Sequence, residues 1–248
     1  MAQQTQIARV DGAWADFMLR YPQPRALAAA PIAEVLRAWA GLGYNRRALN
    51  LQRAAAAIEA DHGGRVPADV AALEALPGVG PYTARAVAAI AFGQPVAAVD
   101  TNVRRVVRRV SGQQLGPRAL QLEADVWVDA TDPADWTHAS MELGATVCVA
   151  RRPRCEVCPV AAWCASAGRV ESASVRPRPA APPFERTTRW LRGRIIERLR
   201  DLDDGAWTRL PRSIGLHDEA AVAAAVATLE QDGLLESRQD GAVRLPSG

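Results

Sequence analysis

The chain has 248 residues, of which 49% are hydrophobic and 23% charged, and its formal net charge is only +3 at pH 7. This composition excludes a disordered or fibrous protein and is typical of a globular chain of one or two domains. No apolar run reaches the roughly 18 residues of a membrane span, and the polar N-terminus is unlike a signal peptide, so we expect a protein of a bacterial-type cytoplasm.

The first part of the chain has the apolar periodicity of helices. Apolar residues at helical spacing predict one helix over residues 3–21 and two more over residues 31–40 and 45–60. A short loop that contains two glycines separates the last two helices. The chain therefore begins as a helical domain.

The loop before the third of these helices is a candidate DNA contact. Gly41 and Gly43 free the backbone, and Tyr44 offers an aromatic face next to Arg46 and Arg47. Such an aromatic group can act as a stacking face or as a wedge beside a base. A tyrosine after a glycine more often packs against its own protein, but the two arginines favour DNA.

A turn rich in glycine and proline separates the next two predicted helices. The first helix stops at Pro77, Gly78, Val79 and Gly80 follow, and the second helix begins at Pro81. Glycines permit positive φ and close approach, and amides beside a helix N-terminus form an anion site. The segment predicts a clamp for a DNA phosphate, with an ordinary turn between helices as the alternative.

Asp100 is a candidate catalytic carboxylate. It follows an apolar run and could simply cap the helix that comes next, because aspartate is a preferred capping residue. A phosphate clamp lies just before it, however, and a strongly basic helix lies just after it. That helix carries four arginines in six residues, namely Arg104, Arg105, Arg108 and Arg109.

A compact metal site is predicted after two further helices, over residues 119–130 and 134–147. We interpret Glu142 in the second helix as a structural residue. Four thiols within 17 residues suit one metal centre, and their spacing alone fits either zinc or a 4Fe-4S cluster. Nothing suggests the secretion that a disulfide pair would require. The cysteines are Cys148, Cys155, Cys158 and Cys164.

All 30 basic residues are arginine, and the sequence has no lysine. No side-chain amine is therefore present to form a Schiff base with a carbonyl substrate. Only the N-terminal amine could attempt that reaction.

The end of the chain predicts a second domain. Residues 169–185 carry four prolines and few large apolar residues, which is typical of an extended linker. Amphipathic patterns predict helices over 186–202 and 218–232, and Asp240-Gly241 predicts the turn of a hairpin. We thus divide the chain into residues 1–168, the linker, and a winged-helix-like domain over residues 186–248.

Four sequence stretches resemble a known family. LPGVGPYTA followed by VDTNVRRV is similar to the helix-hairpin-helix DNA glycosylase and endonuclease III superfamily. QQTQIARV and GLGYNRRALNL narrow the resemblance to the adenine DNA glycosylases, which remove adenine mispaired with 8-oxoguanine. The resemblance covers roughly residues 1–168. It implies a mainly α, two-lobed helix-hairpin-helix fold with a 4Fe-4S loop over residues 148–164, to which the small winged-helix-like domain is added.

The resemblance also implies roles for single residues. Ionised Asp100 would stabilise the positive charge on the sugar ring, and Tyr82 and Asn102 would orient Asp100 and the attacking water. Tyr82 stands where relatives with lyase activity have a lysine, so the enzyme would be a monofunctional glycosylase. The four cysteines would hold the 4Fe-4S cluster. DNA contacts would come from Gln3, Gln4, Thr5, Leu42, Gly43, Tyr44, Gly78, Val79, Gly80 and Arg104.

The family's general acid and its adenine contact do not match this sequence. The resemblance places the glutamate that protonates adenine two residues before Met1, so we expect a start codon farther upstream. It also places an adenine-contacting residue at His138, where relatives have an acid or an amide.

The implied partner is double-stranded DNA with an A:8-oxoguanine or A:G mispair, bound by a monomer near the bacterial nucleoid. Two alternatives stay open. One is a thymine- or uracil-mismatch glycosylase on the same scaffold, and the other is an inactive Fe-S protein that only binds DNA.

Overall fold

The structure is a computed structural model that describes residues 1–3, 5, 7–169 and 181–246. Helices dominate it, as the sequence predicts, and the predicted helices are all present. None of the helices in these ranges is long and apolar enough to cross a bilayer. In chain order they are α1 (Ile7–Arg20), α2 (Pro24–Ala28), α3 (Ile32–Ala38), α4 (Arg46–His62), α5 (Val70–Ala75), α6 (Pro81–Phe92), α7 (Thr101–Ser111), α8 (Pro117–Val126), α9 (Pro133–Glu142), α10 (Thr188–Arg200) and α11 (Glu219–Gln231).

The helices group into two compact units that do not follow chain order. One unit contains residues 1–66, 76–78 and 181–246, and the other contains residues 67–75 and 79–169. The predicted linker over 169–185 lies largely outside the described residues. The predicted boundaries of the domains stay a prediction.

The core of the first unit joins the start and the end of the chain. Trp39 is only 1% exposed, and Leu36 at the end of α3 is fully buried. Leu191, Ile195 and Ile196 of α10 belong to the same buried cluster. Burial of large apolar side chains contributes about 1.5–3 kcal/mol each. The C-terminal helices are thus held to α3 and α4 by a shared apolar core.

The predicted winged-helix pattern is present at the end of this unit. Strands β1 (Thr208–Arg209), β2 (Glu236–Ser237) and β3 (Ala242–Arg244) form an antiparallel sheet in the order β1-β3-β2. The hairpin turns at Asp240 and Gly241, as predicted, and the pairing of β1 with β3 adds a strand that the sequence pattern did not show.

The second unit is built on α7. Val103 and Val107 on one face of this helix pack with Leu120 and Ala124 of α8, and all four side chains are buried. Helix α9 continues into a π-helical turn (Leu143–Val147) that leads to the first cysteine. Such turns occur frequently at functional sites.

Candidate active site and metal centre

The predicted phosphate clamp lies between α5 and α6. Gly78 has a φ of 77°, and a Cβ atom there would lie 2.7 Å from the Cβ of Asn50, so only glycine fits. Gly80 has an extended backbone and precedes Pro81, the first residue of α6. In the described chain the amides of residues 78–80 donate to no backbone carbonyl. The role of these amides as a clamp for a phosphate stays a prediction.

Asp100 caps α7 and is held in one orientation. Its Oδ1 accepts hydrogen bonds from the backbone N–H groups of Asn102 at 2.8 Å and Val103 at 2.7 Å. Its Oδ2 accepts from Nδ2 of Asn102 at 3.1 Å. Arg105 donates to Oδ1 of Asn102 at 2.9 Å and thereby keeps Nδ2 turned toward the carboxylate. Asp100 is therefore a capping residue whose carboxylate is fixed by a short chain of polar contacts.

Asp100 also lines a pocket. Asp100 and Asn102 line it from the start of α7, and Met141, His138 and Glu142 line it from α9. His138 and Glu142 are both exposed. Glu142 is the last residue of α9, and its interpretation as a structural helix residue stays a prediction. A charged carboxylate at an open pocket has the geometry required to act on a bound ligand.

Tyr82 lies near Asp100 but does not hydrogen-bond to it in the described chain. Its hydroxyl donates to Sδ of Met141 at 3.3 Å. Burial raises the pKa of Tyr82, and the negative charge of Asp100 raises it further, so the phenol stays neutral at physiological pH. Tyr82 is 40% exposed and can present this neutral hydroxyl to a ligand.

Gly144 packs closely against Asn102 of the candidate active site, a contact that no sequence motif indicated. It lies in the π-helical turn, and a Cβ atom there would come 2.7 Å from the Cβ of Asn102 and 3.0 Å from its carbonyl carbon. A side chain at this position would push the start of α7 away, and Asp100 with it.

We therefore expect Gly144→Ala to destabilise the protein by about 1–3 kcal/mol through overpacking. Because it also displaces Asn102, we expect the rate of any reaction at this site to fall by roughly tenfold to a hundredfold. Urea unfolding and single-turnover rates measure the two effects. Gly12→Ala is the matched control, since a Cβ there meets no atom within 4 Å. Equal behaviour of the two variants would contradict the account.

Three of the four arginines of α7 donate hydrogen bonds to backbone carbonyls of neighbouring loops. Arg105 donates to the carbonyl of Cys148 at 2.7 Å, and Arg109 donates to the next two carbonyls, each at 2.8 Å. Arg108 donates to a carbonyl just before α8. Only Arg104 of the four is exposed. The basic helix is thus mainly a support for the cysteine loop, and Arg104 remains the candidate for DNA.

The four cysteines line one pocket. Val106, Val147 and Val160 are among the apolar side chains that complete its wall. All four cysteines are half-buried. Such a set of thiols around a mostly apolar pocket fits an iron-sulfur cluster bound by four thiolates. The residues that would hold it are Cys148, Cys155, Cys158 and Cys164.

Arg109 lies beside the predicted sulfur ligands. Its Nη1 is 3.4 Å from Sγ of Cys148, and its carbonyl oxygen is 3.3 Å from Sγ of Cys164. A guanidinium next to a ligating sulfur supplies the positive charge and the hydrogen bonding that tune such centres. The bound cluster would cross-link the four cysteines within the loop, and Arg109 would connect that loop to α7.

Arg47 organises the N-terminal segment. Its Nη1 donates to the carbonyls of Met1 at 2.7 Å and Gln3 at 2.6 Å. Its Nη2 donates to Oγ1 of Thr5 at 2.8 Å and to the carbonyl of Leu42 at 2.9 Å. One arginine therefore ties the first residues to the loop before α4, and this central role was not apparent from the sequence.

The predicted DNA contacts of this region divide into two groups. Leu42 is only 4% exposed and belongs to the core, so the prediction that its side chain enters the base stack is wrong. Thr5 is half-buried against Arg47, whereas Gly43 and Tyr44 are exposed. Gln4 lies outside the described residues. The exposed loop thus offers Tyr44 as its aromatic group.

Comparison with known proteins agrees with this geometry. A family model described as HhH-GPD superfamily base excision DNA repair protein matches residues 1–129, and a model for the iron-sulfur binding domain of endonuclease III matches residues 148–164. Adenine DNA glycosylase of Mycobacterium tuberculosis is 42% identical over 261 residues, which cover 99% of this chain and 83% of that protein. Human adenine DNA glycosylase is 43% identical over 178 residues, which cover 69% of this chain and 33% of that protein.

Solved structures show the same relationship. A thermostable thymine-DNA glycosylase superposes with a TM-score of 0.63 at 31% identity, over 68% of this chain and 80% of its own. Endonuclease III, trapped as a covalent intermediate with DNA, superposes with a TM-score of 0.58 at 28% identity. The superposition covers 67% of this chain and 80% of the endonuclease III chain. The chain therefore belongs to the HhH-GPD superfamily of base excision DNA repair proteins, and within it to the adenine DNA glycosylase family.

Proposed function

We propose that this protein is a monofunctional DNA glycosylase that hydrolyses the N-glycosidic bond of adenine mispaired with 8-oxoguanine or guanine. The observation that carries the proposal is the carboxylate of Asp100, fixed by three hydrogen bonds at the edge of an open pocket. Relatives named adenine DNA glycosylase, one of them 42% identical over nearly the whole chain, support adenine as the base.

In the proposed reaction, positive charge develops on the sugar as adenine leaves. The target nucleotide is rotated out of the duplex, as base excision requires. When the bond between C1′ and adenine breaks, its electron pair leaves with adenine, a general acid donates a proton to adenine, and the sugar becomes positive. The negative charge of Asp100 stabilises that cation. Water then adds to C1′ and releases its proton, with Asn102 and the neutral hydroxyl of Tyr82 helping to orient Asp100 and the water.

DNA binding in this proposal uses the clamp and the exposed loop. The free amides of Gly78, Val79 and Gly80 hold a backbone phosphate. Exposed Arg104 adds a phosphate contact, and Tyr44 enters the base stack beside the mispair, near Gln3. The protein acts on this DNA as a monomer, close to the bacterial nucleoid.

The cluster has a structural role in this proposal. Cys148, Cys155, Cys158 and Cys164 would bind it and so fix the loop over residues 148–164, which α7 contacts through its arginines. The supporting contacts are those of Arg105 and Arg109 with the carbonyls of that loop.

Backbone cleavage is not expected from this chain, because it has no lysine to attack the abasic sugar. We expect borohydride to trap no covalent adduct with DNA, and strand breaks to arise only after treatment with alkali. A glycosylase with a catalytic lysine, assayed in parallel, confirms that trapping works. An adduct at a yield similar to that of the control enzyme would contradict monofunctional hydrolysis.

Removal of thymine or uracil from mismatches is the second candidate. The similarity to a thymine-DNA glycosylase structure at 31% identity favours it, and Tyr82 at the hairpin is compatible with it. The other alternative, a protein that only binds DNA, explains Asp100 as the cap of α7 but gives no reason for that residue to line a pocket.

A substrate panel tests the proposal. Single-turnover base release is measured on duplexes with A:8-oxoguanine, A:G, T:G and U:G, and the released base is identified by chromatography. The 248-residue chain is assayed beside a version with glutamate two positions before Met1, since the resemblance assigns the proton to that residue. Release of adenine from the first two duplexes supports the proposal. Release of thymine or uracil, or of no base by either version, overturns it.

A further inference from the structure

Three consecutive residues at the start of α4 contact the C-terminal part of the chain. The hydroxyl of Tyr44 accepts a hydrogen bond from Nη1 of Arg189 at 2.6 Å. Asn45 Oδ1 accepts from Nη2 of Arg200 at 2.7 Å. Arg46 Nη1 lies 3.4 Å from a carboxylate oxygen of Asp232. We name residues 44–46 the reading loop, because it carries the aromatic group proposed to enter DNA.

Arg189 covers the ring of Tyr44 as well as its hydroxyl. The guanidinium carbon lies 4.1 Å from the centroid of the tyrosine ring, within the range of a cation–π interaction. The guanidinium carbon of Arg47 is farther from this centroid, at 5.7 Å. Tyr44 remains 41% exposed. Arg189 therefore fixes the direction of the ring and leaves part of it open to a base.

The backbone of Tyr44 needs such support. Its φ of 46° makes it the one residue other than glycine with a positive φ in the described chain. A bulky side chain in this region is disfavoured and persists only where its surroundings hold it.

The element that carries Arg189 is firmly attached. Leu191, Ile195 and Ile196 of α10 are at most 1% exposed within the shared core. At the other end of the helix, Arg37 of α3 donates to the carbonyl of Arg200 at 3.3 Å. Buried packing thus sets the position of the Arg189 backbone, from which the guanidinium reaches Tyr44.

We propose that the C-terminal segment is a positioning element of the DNA-reading site, and that Arg189 is the residue that holds Tyr44 ready to enter the base stack. This inference rests on the proposed function, because the contact of Tyr44 with DNA belongs to it. Arg189 limits the rotamers of Tyr44 before DNA arrives, so less conformational entropy is lost when the ring stacks.

The contact is tested first without DNA. The sequence has three tyrosines, so protein labelled with 3-fluorotyrosine gives three fluorine resonances, and Tyr44→Phe assigns one of them. We expect Arg189→Ala to shift and narrow the Tyr44 resonance as the ring becomes mobile, and Arg189→Lys to restore part of the shift. An unchanged resonance in Arg189→Ala overturns the proposal, whatever the protein does with DNA.

The consequence for DNA is tested with a mispaired and a matched duplex. We expect Arg189→Ala and Tyr44→Ala each to weaken mispair binding about tenfold, to leave matched-duplex binding nearly unchanged, and to be non-additive when combined. The matched control is Arg194→Ala on the same helix, whose partner Glu197 lies on that helix too.

Three possible results would count against the positioning role of Arg189, and they differ in what they mean for the proposed function. Additive effects, or equal losses on both duplexes, mean that Arg189 acts as a simple phosphate contact, and they overturn the positioning role. A wild-type preference for the mispair that Arg189→Ala leaves unchanged also overturns it, while the proposed function stands. No wild-type preference at all counts against the proposed function itself, and it overturns the DNA-reading part of this proposal too.

Discussion

Replacement of Asp100 by asparagine is expected to lower the single-turnover rate of adenine release about 10³-fold or more, because the variant loses the negative charge opposite the positive sugar. The rate is measured on the A:8-oxoguanine duplex, with the version of the chain that releases adenine. We expect affinity for that duplex to change little. Equal losses of rate and affinity would contradict the assigned role.

The substitution is conservative for the fold. Asparagine is as good a capping residue as aspartate, so its Oδ1 can still accept from the backbone N–H groups of Asn102 and Val103. Its Nδ2 would face Nδ2 of Asn102, whose orientation Arg105 fixes, and that single contact is lost. Asp218→Asn is the matched control, since Asp218 caps α11 by accepting from Ala221 N–H at 2.9 Å and is remote in sequence from the site.

Loss of one cysteine is expected to have the second large effect. Cys158→Ser should remove the iron-sulfur cluster and release the loop that Arg105 and Arg109 hold to α7. We expect the melting temperature to fall by roughly 10 °C, which corresponds to about 3 kcal/mol for a chain of this size. Visible absorption, iron and zinc analysis, and thermal unfolding measure the change independently of activity.

The control for this prediction lies in the same loop. Val157 is 61% exposed beside Cys158, so Val157→Ala should leave iron content and melting temperature unchanged. Iron bound in equal amounts by Cys158→Ser and the wild type would show that Cys158 is not a ligand. Zinc in place of iron in the wild type would contradict the cluster itself.

Local patterns in the sequence were sufficient for much of this account. Apolar periodicity predicted the helices, and Gly78 marked a backbone position where a side chain cannot fit. The spacing of the cysteines predicted one shared site, and the structure places all four around one pocket. These features depend on neighbouring residues, so a single sequence contains the information needed to find them.

Contacts between distant parts of the chain could not be predicted in this way. Arg189 and Tyr44 are 145 positions apart, and nothing in either local pattern indicates that they meet. Gly144 resembles an ordinary glycine in the sequence, although it makes room for Asn102. The basic sequence of α7 suggested a DNA surface. Most of its arginines, however, donate hydrogen bonds to carbonyls of loops that pack beside the helix. Charge alone does not reveal whether an arginine faces solvent or its own backbone.

The most direct test of the central claim is the affinity for a charged mimic of the reacting sugar. Binding is compared for duplexes that carry, opposite 8-oxoguanine, either a cationic pyrrolidine or a neutral tetrahydrofuran in place of the adenosine sugar. The account predicts tighter binding of the cation by a factor of about 10² or more, and loss of this preference in Asp100→Asn. Equal affinity of the wild type for both duplexes, or the same preference in Asp100→Asn, would contradict it.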